Sequence, residues 1–236
     1  MRDRLPLLAG LVLLALSFLL GSLFIAGGIR DRGRNDTLAV TGSAKAHIVS
    51  DYAIWTASVT AQDGSAGPAG KRVSDWSKRI VAFLQAQGVR DAELTSYPIS
   101  TSTVNDDKGN IRAYQVTRSF EVRSSRVDAV STLADASSTL ILQGVPLSAN
   151  PVQYVYTKLA SLRPKLLQQA VADARKRAQT LVDATGAHLG KARSVAVGVF
   201  QITAPNSTEV SDYGVYDTST LRKDVTAVVN LTFGLN

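Results

Sequence analysis

Residues 5–29 are 25 consecutive positions without a charged side chain, dominated by Leu with Val, Ile, Phe and Ala. As a helix this run would be about 37 Å long, against a bilayer hydrocarbon core of about 30 Å. It is long enough to cross a membrane with some tilt. A removable signal peptide carries an apolar stretch of only about 7–15 residues and a small-residue exit site. Here the run is longer, and its exit at Ala26-Gly27-Gly28 is weakly site-like. The leading expectation is an uncleaved, single-pass anchor within residues 1–34, followed by one folded region over residues 35–236. A cleaved leader is the alternative. The flanks nearly tie on the positive-inside rule, with Arg2 and Arg4 on one side and Arg30, Arg32 and Arg34 on the other.

Those arginines also change the meaning of the net charge of +7. Residues 1–34 hold five Arg against two Asp, and the remaining 21 basic and 17 acidic residues leave +4 spread over the folded region. That is too dilute for nucleic acid, which calls for a dense basic stripe. Arg175-Lys176-Arg177 is a basic cluster, but no exposed aromatics interleave with it, and it reads as a solvated helix face. The chain has no cysteine, which excludes disulfides, thiolate metal ligands, a Cys nucleophile and a lipidated terminal Cys.

Past the anchor the pattern alternates between periods of two and of three to four. A short strand opens at residues 38–40 and breaks at Thr41-Gly42. Ala53, Trp55, Ala57 and Val59 share one face of a second strand. Val73, Trp76, Ile80 and Phe83 or Leu84 form the apolar stripe of a helix that Gly88 stops. A strand over residues 94–104, a turn at residues 105–110 and a strand carrying Tyr114, Val116, Phe120 and Val122 make a hairpin. A short helix opens at Ser125, and a strand holds Val152, Tyr154 and Tyr156. The longest helix is capped by Ser161, with Pro164 in its first turn. It buries Leu167, Ala170 or Val171, Ala174, Ala178 and Leu181, and ends at Gly186. Strands at residues 195–202 and 225–233 flank a polar loop at residues 204–220. The sum is an α+β fold: a mixed sheet with two βαβ-like halves and antiparallel hairpins.

No residue pattern marks a catalytic residue, a cofactor site or a metal site. His47 and His188 are far apart and neither has a second ligand at metal spacing. No G-x-S-x-G, phosphate-binding or dinucleotide-binding glycine pattern occurs. The lone Gly42 reads as a strand bend. Asp106, Asp107 and Asn110 read as a hairpin turn and lack the closing Glu of a calcium loop. Three residues remain as candidates for partner binding. Arg118 sits on the apolar row of its strand, where it needs a carboxylate or carbonyl partner or a wet end to snorkel to. Tyr213 and Tyr216 sit in a loop long enough to be either a binding element or a disordered connection.

The order of these features resembles the bacterial SIMPL-domain family over residues 38–233. Val40-Thr41-Gly42, Ser50-Asp51 and Gly88-Val89 carry the likeness, with the strongest part at residues 170–190: Ala174-Arg175-Lys176-Arg177-Ala178, Gly186 and Leu189-Gly190. This chain has Ser50-Asp51 where the family often has Pro-Asp, and Ala113-Tyr114 where it often has Gly-Tyr. The resemblance implies an α+β envelope protein outside the cytoplasm, which resolves the tie between the flanking arginines. It also implies that self-assembly is within reach, and it brings no catalytic residue. The expectation is an inner-membrane protein with its soluble part in the periplasm, acting as a non-catalytic interaction or self-assembly module. An envelope hydrolase or a lipid- or glycan-binding protein is the alternative, the latter calling for a continuous exposed patch around Tyr213 and Tyr216.

Overall fold

A computed structural model describes residues 36–236 together with Ser17. The expected anchor at residues 5–29 lies outside the described residues apart from Ser17. Among the described residues no helix is long and apolar enough to cross a membrane. The chain forms two compact units, Met1–Ala44 with Lys165–Val199 and Ala227–Asn236, and Lys45–Pro164 with Phe200–Thr226.

The larger unit is built on β2 (Tyr52–Asp63) and β5 (Ile111–Ser124), antiparallel over their length, with Trp55 opposite Val122 and Ala57 opposite Phe120. The sheet order is β3-β5-β2-β6, where β3 is Leu94–Ser96 and β6 is Leu147–Ala149; β4 (Ser100–Asn105) also pairs with β5, and β7 (Gln153–Val155) with β2. Alternation in β2 sends Trp55, Ala57 and Val59 to one face, where they meet Ala69, Val73, Ile80 and Leu84 of α1 (Ala66–Ala86). Val130 and Leu133 of α2 (Val127–Ala136) and Leu140 of α3 (Ser138–Leu142) close that core. Gly88 ends α1 at φ +82°, which a side chain would strain. The single strand expected at residues 94–104 is two strands split at Tyr97-Pro98-Ile99, because Pro98 has no N–H to give the ladder.

The smaller unit takes the first part of β1 (Thr37–Val49) and the later part of β10 (Arg222–Leu235), which lies between β1 and β8 (Leu189–Val197) in the sheet. Its helix is the part from Lys165 of α4 (Leu159–Thr185), which buries Leu166, Ala170, Ala174, Ala178 and Val182. That stripe is shifted from the expected one at its ends: Leu181 is half exposed and Val182 is buried. Gly42 does not bend β1. A Cβ there would sit 2.2 Å from the Ala170 carbonyl oxygen and 2.5 Å from the Ala174 Cβ, so the glycine lets the helix lie directly on the strand. Helix α4 begins at Leu159, which places Pro164 inside it rather than in the first turn.

The βαβ expectation is met once. Strands β2 and β3 both run antiparallel to β5, so β2-α1-β3 is a βαβ unit with β5 inserted between its strands. The second half is corrected: β7 belongs to the six-stranded sheet and β8 to the four-stranded one. A helix of 27 residues rises about 40 Å, far more than is needed to return beside a three-residue strand.

Candidate functional site

Within the larger unit, β9 (Gln201–Thr203) pairs with the start of β10 and launches the loop at residues 204–220. The loop is tied down at its base. Buried Gln201 donates its amide to the Ser211 carbonyl at 2.6 Å and accepts the Val215 N–H at 2.9 Å. Ile202 bridges to Tyr216 in parallel, donating to the Val215 carbonyl and accepting from Asp217 N–H, both at 2.8 Å. The Tyr216 hydroxyl donates to the Tyr156 carbonyl and accepts the Tyr156 N–H, which makes it a brace.

Asp217 anchors the far end. Burial disfavours its charge, but hydrogen bonds from Ser219, Thr220 and the Lys223 ammonium outweigh that and hold its carboxyl well below the usual range. The Lys223 side chain is fully buried and lies 3.1 Å from Asp217. Removing one partner of such a pair leaves a buried charge uncompensated.

What this bracing presents is a short tip. Tyr213 is 97% exposed, Val210 is exposed beside it, and Glu209 and Asp212 flank them. Arg118, the third candidate, donates from Nε to the Tyr97 carbonyl at 3.2 Å and lies 5.7 Å from the Phe120 ring centre. The inward arginine therefore has a carbonyl partner.

A second cluster lies where β1 meets the start of β10. His47 Nδ1 is hydrogen-bonded to Asp224 Oδ1 at 2.6 Å, and Lys45 Nζ reaches Asp224 Oδ2 at 3.2 Å. The Asp224 side chain is buried while the imidazole is 83% exposed. Burial opposes the Asp224 charge, but His47, Lys45 and the Asn206 N–H together hold its carboxyl low. This arrangement orients an imidazole with its Nε2 toward solvent. Among the described residues no serine hydroxyl is hydrogen-bonded to it. No local pattern marks the pair, since the two residues are 177 positions apart.

Several other charged groups are held in structural clasps. Arg126 pairs with Glu93 at 2.5 Å and, with Ser124, lowers that carboxyl to about 2. Asp51, one of the residues behind the family likeness, accepts the Thr157 N–H and hydroxyl at 2.7 and 2.9 Å. Asp106 accepts the N–H groups of Lys108 and Asn110 and closes the hairpin turn. His188 pairs through its backbone with Asn236. Among the described residues no group of three or more His, Asp or Glu is placed to hold a metal ion.

The model of the SIMPL family, described as a protein of unknown function (DUF541), matches residues 38–233. The 26 kDa periplasmic immunogenic proteins of Brucella melitensis and Brucella abortus are each 28% identical to this chain over 163 residues. The match takes in 65% of this chain and 63% of the length of those curated relatives. A crystal structure of a hydrolase from Listeria innocua aligns over 81% of this chain and 91% of its own, at 8% identity and a TM-score of 0.23. A score that low supports no argument about fold or activity.

Proposed function

We propose a function from one premise: the chain belongs to the SIMPL family. It works in the periplasm as a non-catalytic interaction module that associates with copies of itself, held at the inner membrane by residues 5–29. The observation that carries this reading is Tyr213, a fully exposed aromatic on a loop whose base is fixed by Gln201, Tyr216 and Asp217. An exposed aromatic on a braced loop costs little further ordering on binding and buries a large area. Tyr216 braces the loop behind that contact through its bond to the Tyr156 carbonyl, while Arg118 is held at the Tyr97 carbonyl. The periplasmic names of the Brucella relatives support the compartment, and the length and apolarity of residues 5–29 support the anchor.

The acidic residues at the tip weigh against the lipid reading, because Glu209 and Asp212 would be repelled by an anionic bilayer. The hydrolase reading draws on the His47–Asp224 pair, which holds an imidazole as a general base is held. Ester hydrolysis abolished by His47→Ala would establish it.

The deciding measurement is the subunit mass and the native mass of detergent-extracted protein. A full-length subunit in a discrete multimer is expected. A processed monomer overturns both the anchor and the self-association.

A further inference from the structure

The smaller unit carries a groove of about 500 Å³ lined by Arg175, Leu189, Gly190, Lys191, Phe233 and Asn236, among others. That volume lies within the range of ligand sites, about 300–1,000 Å³. Its lining side chains include two cations and no carboxylate, and neither Arg175 nor Lys191 makes an ion pair among the described residues. The groove takes in the start of strand β8, whose later Val195 and Val197 stand opposite Leu231 and Val229 and so face the α4 side of the sheet. They are 60% and 57% exposed. The groove carries two cations, and further along the same edge strand lie two exposed apolar side chains.

The loop tip has the complementary character. Residues 204–221 contain no Lys or Arg, and with Asp217 held by Lys223 their free acidic groups are Glu209 and Asp212, on either side of Val210 and next to Tyr213. Two unpaired carboxylates with an aromatic and an aliphatic side chain match two unpaired cations over an apolar floor.

We infer that the tip at residues 209–213 of one copy docks into the Arg175–Lys191 groove of a second copy. This rests on the self-association proposed above and names its surfaces. The contact is heterologous, tip to groove, so each copy keeps one free tip and one free groove until a ring closes or a filament grows. Opposed charges at its rim make it salt-sensitive and fix its register.

The test uses the full-length chain in detergent and reads native mass against concentration. Arg175→Glu with Lys191→Glu, or Glu209→Lys with Asp212→Lys, each weakens association by roughly 10-fold or more. Mixing the two variants restores it, since each then offers the other a matched tip and groove; restoration also shows that both variants fold. Because the chain has no cysteine, Tyr213→Cys and Lys191→Cys give clean probes. Mixed together under oxidation they form the Tyr213–Lys191 cross-link between copies. A multimer that ignores both reversals, or that cross-links only Tyr213→Cys to itself, overturns this contact and leaves self-association standing. A wild-type monomer at every concentration overturns self-association and the contact with it.

Discussion

The two units bury their sheets by opposite means. In the larger one, Trp55, Phe120, Ile80 and Leu84 fill the space between strand and helix with bulk. In the smaller one, Gly42, Ala170, Ala174 and Ala178 remove the space, bringing helix backbone to within van der Waals reach of strand backbone. The first kind of core is vulnerable to lost atoms, which leave cavities. The second is vulnerable to added atoms, which have nowhere to go.

The largest effect should come from adding one methyl group. Gly42→Ala places a carbon where the Ala170 carbonyl oxygen and the Ala174 backbone already lie, and no flexible side chain can yield. We expect no cooperative thermal transition from the smaller unit; a transition unchanged from wild type would end the contrast. Trp55→Ala should cost about 3–5 kcal/mol in urea unfolding, by removing the largest fully buried side chain of the other core. Asp217→Asn, which keeps the shape but deletes the carboxylate charge, should cost about 3 kcal/mol by leaving the buried Lys223 ammonium without its counter-ion. The pH dependence sharpens the comparison further. Glu93 is lowered from 4.5 to about 2, so its contribution to stability is complete above about pH 4.5 and is lost as pH falls through about 2. Glu93→Gln should flatten the acid limb of the urea midpoint across that window. Tyr213→Ala should change stability by no more than about 0.5 kcal/mol while weakening self-association, since its side chain touches neither core.

The same contrast explains which parts of the molecule could be read from its sequence. Bulk announces itself locally: the alternation of Ala53, Trp55, Ala57 and Val59 and the three-to-four spacing of Val73, Ile80 and Leu84 located β2 and α1. Gly88 and Gly186 marked two helix ends, both at positive φ. Closeness has no local signature. Gly42 read as a bend because the helix that requires it lies more than 120 residues further on, and the α4 stripe was misplaced at its ends because Leu167 and Leu181 are as apolar as the neighbours that are buried. The candidate loop was found by its length, and Tyr213 with it. Its brace was not, because Gln201, Tyr156 and Lys223 act through carbonyls and carboxylates that only the fold brings near. The His47–Asp224 pair was hidden for the same reason.

The middle position of β10 in the order β1-β10-β8 also bears on the time course of biosynthesis. Thr41 of the opening strand bonds to Asn230, 189 positions later. While the chain is being made, β1 must wait through nearly the whole of translation for its neighbour, whereas β2 and β5 emerge close together and can pair early. Until then β1 is an unpaired ribbon with Leu38 and Val40 uncovered, the kind of nascent segment that holding chaperones occupy. Quality control of this protein thus turns on its final strand: a chain cut short just before residue 227 holds every residue of the larger unit and lacks the central strand of the smaller one.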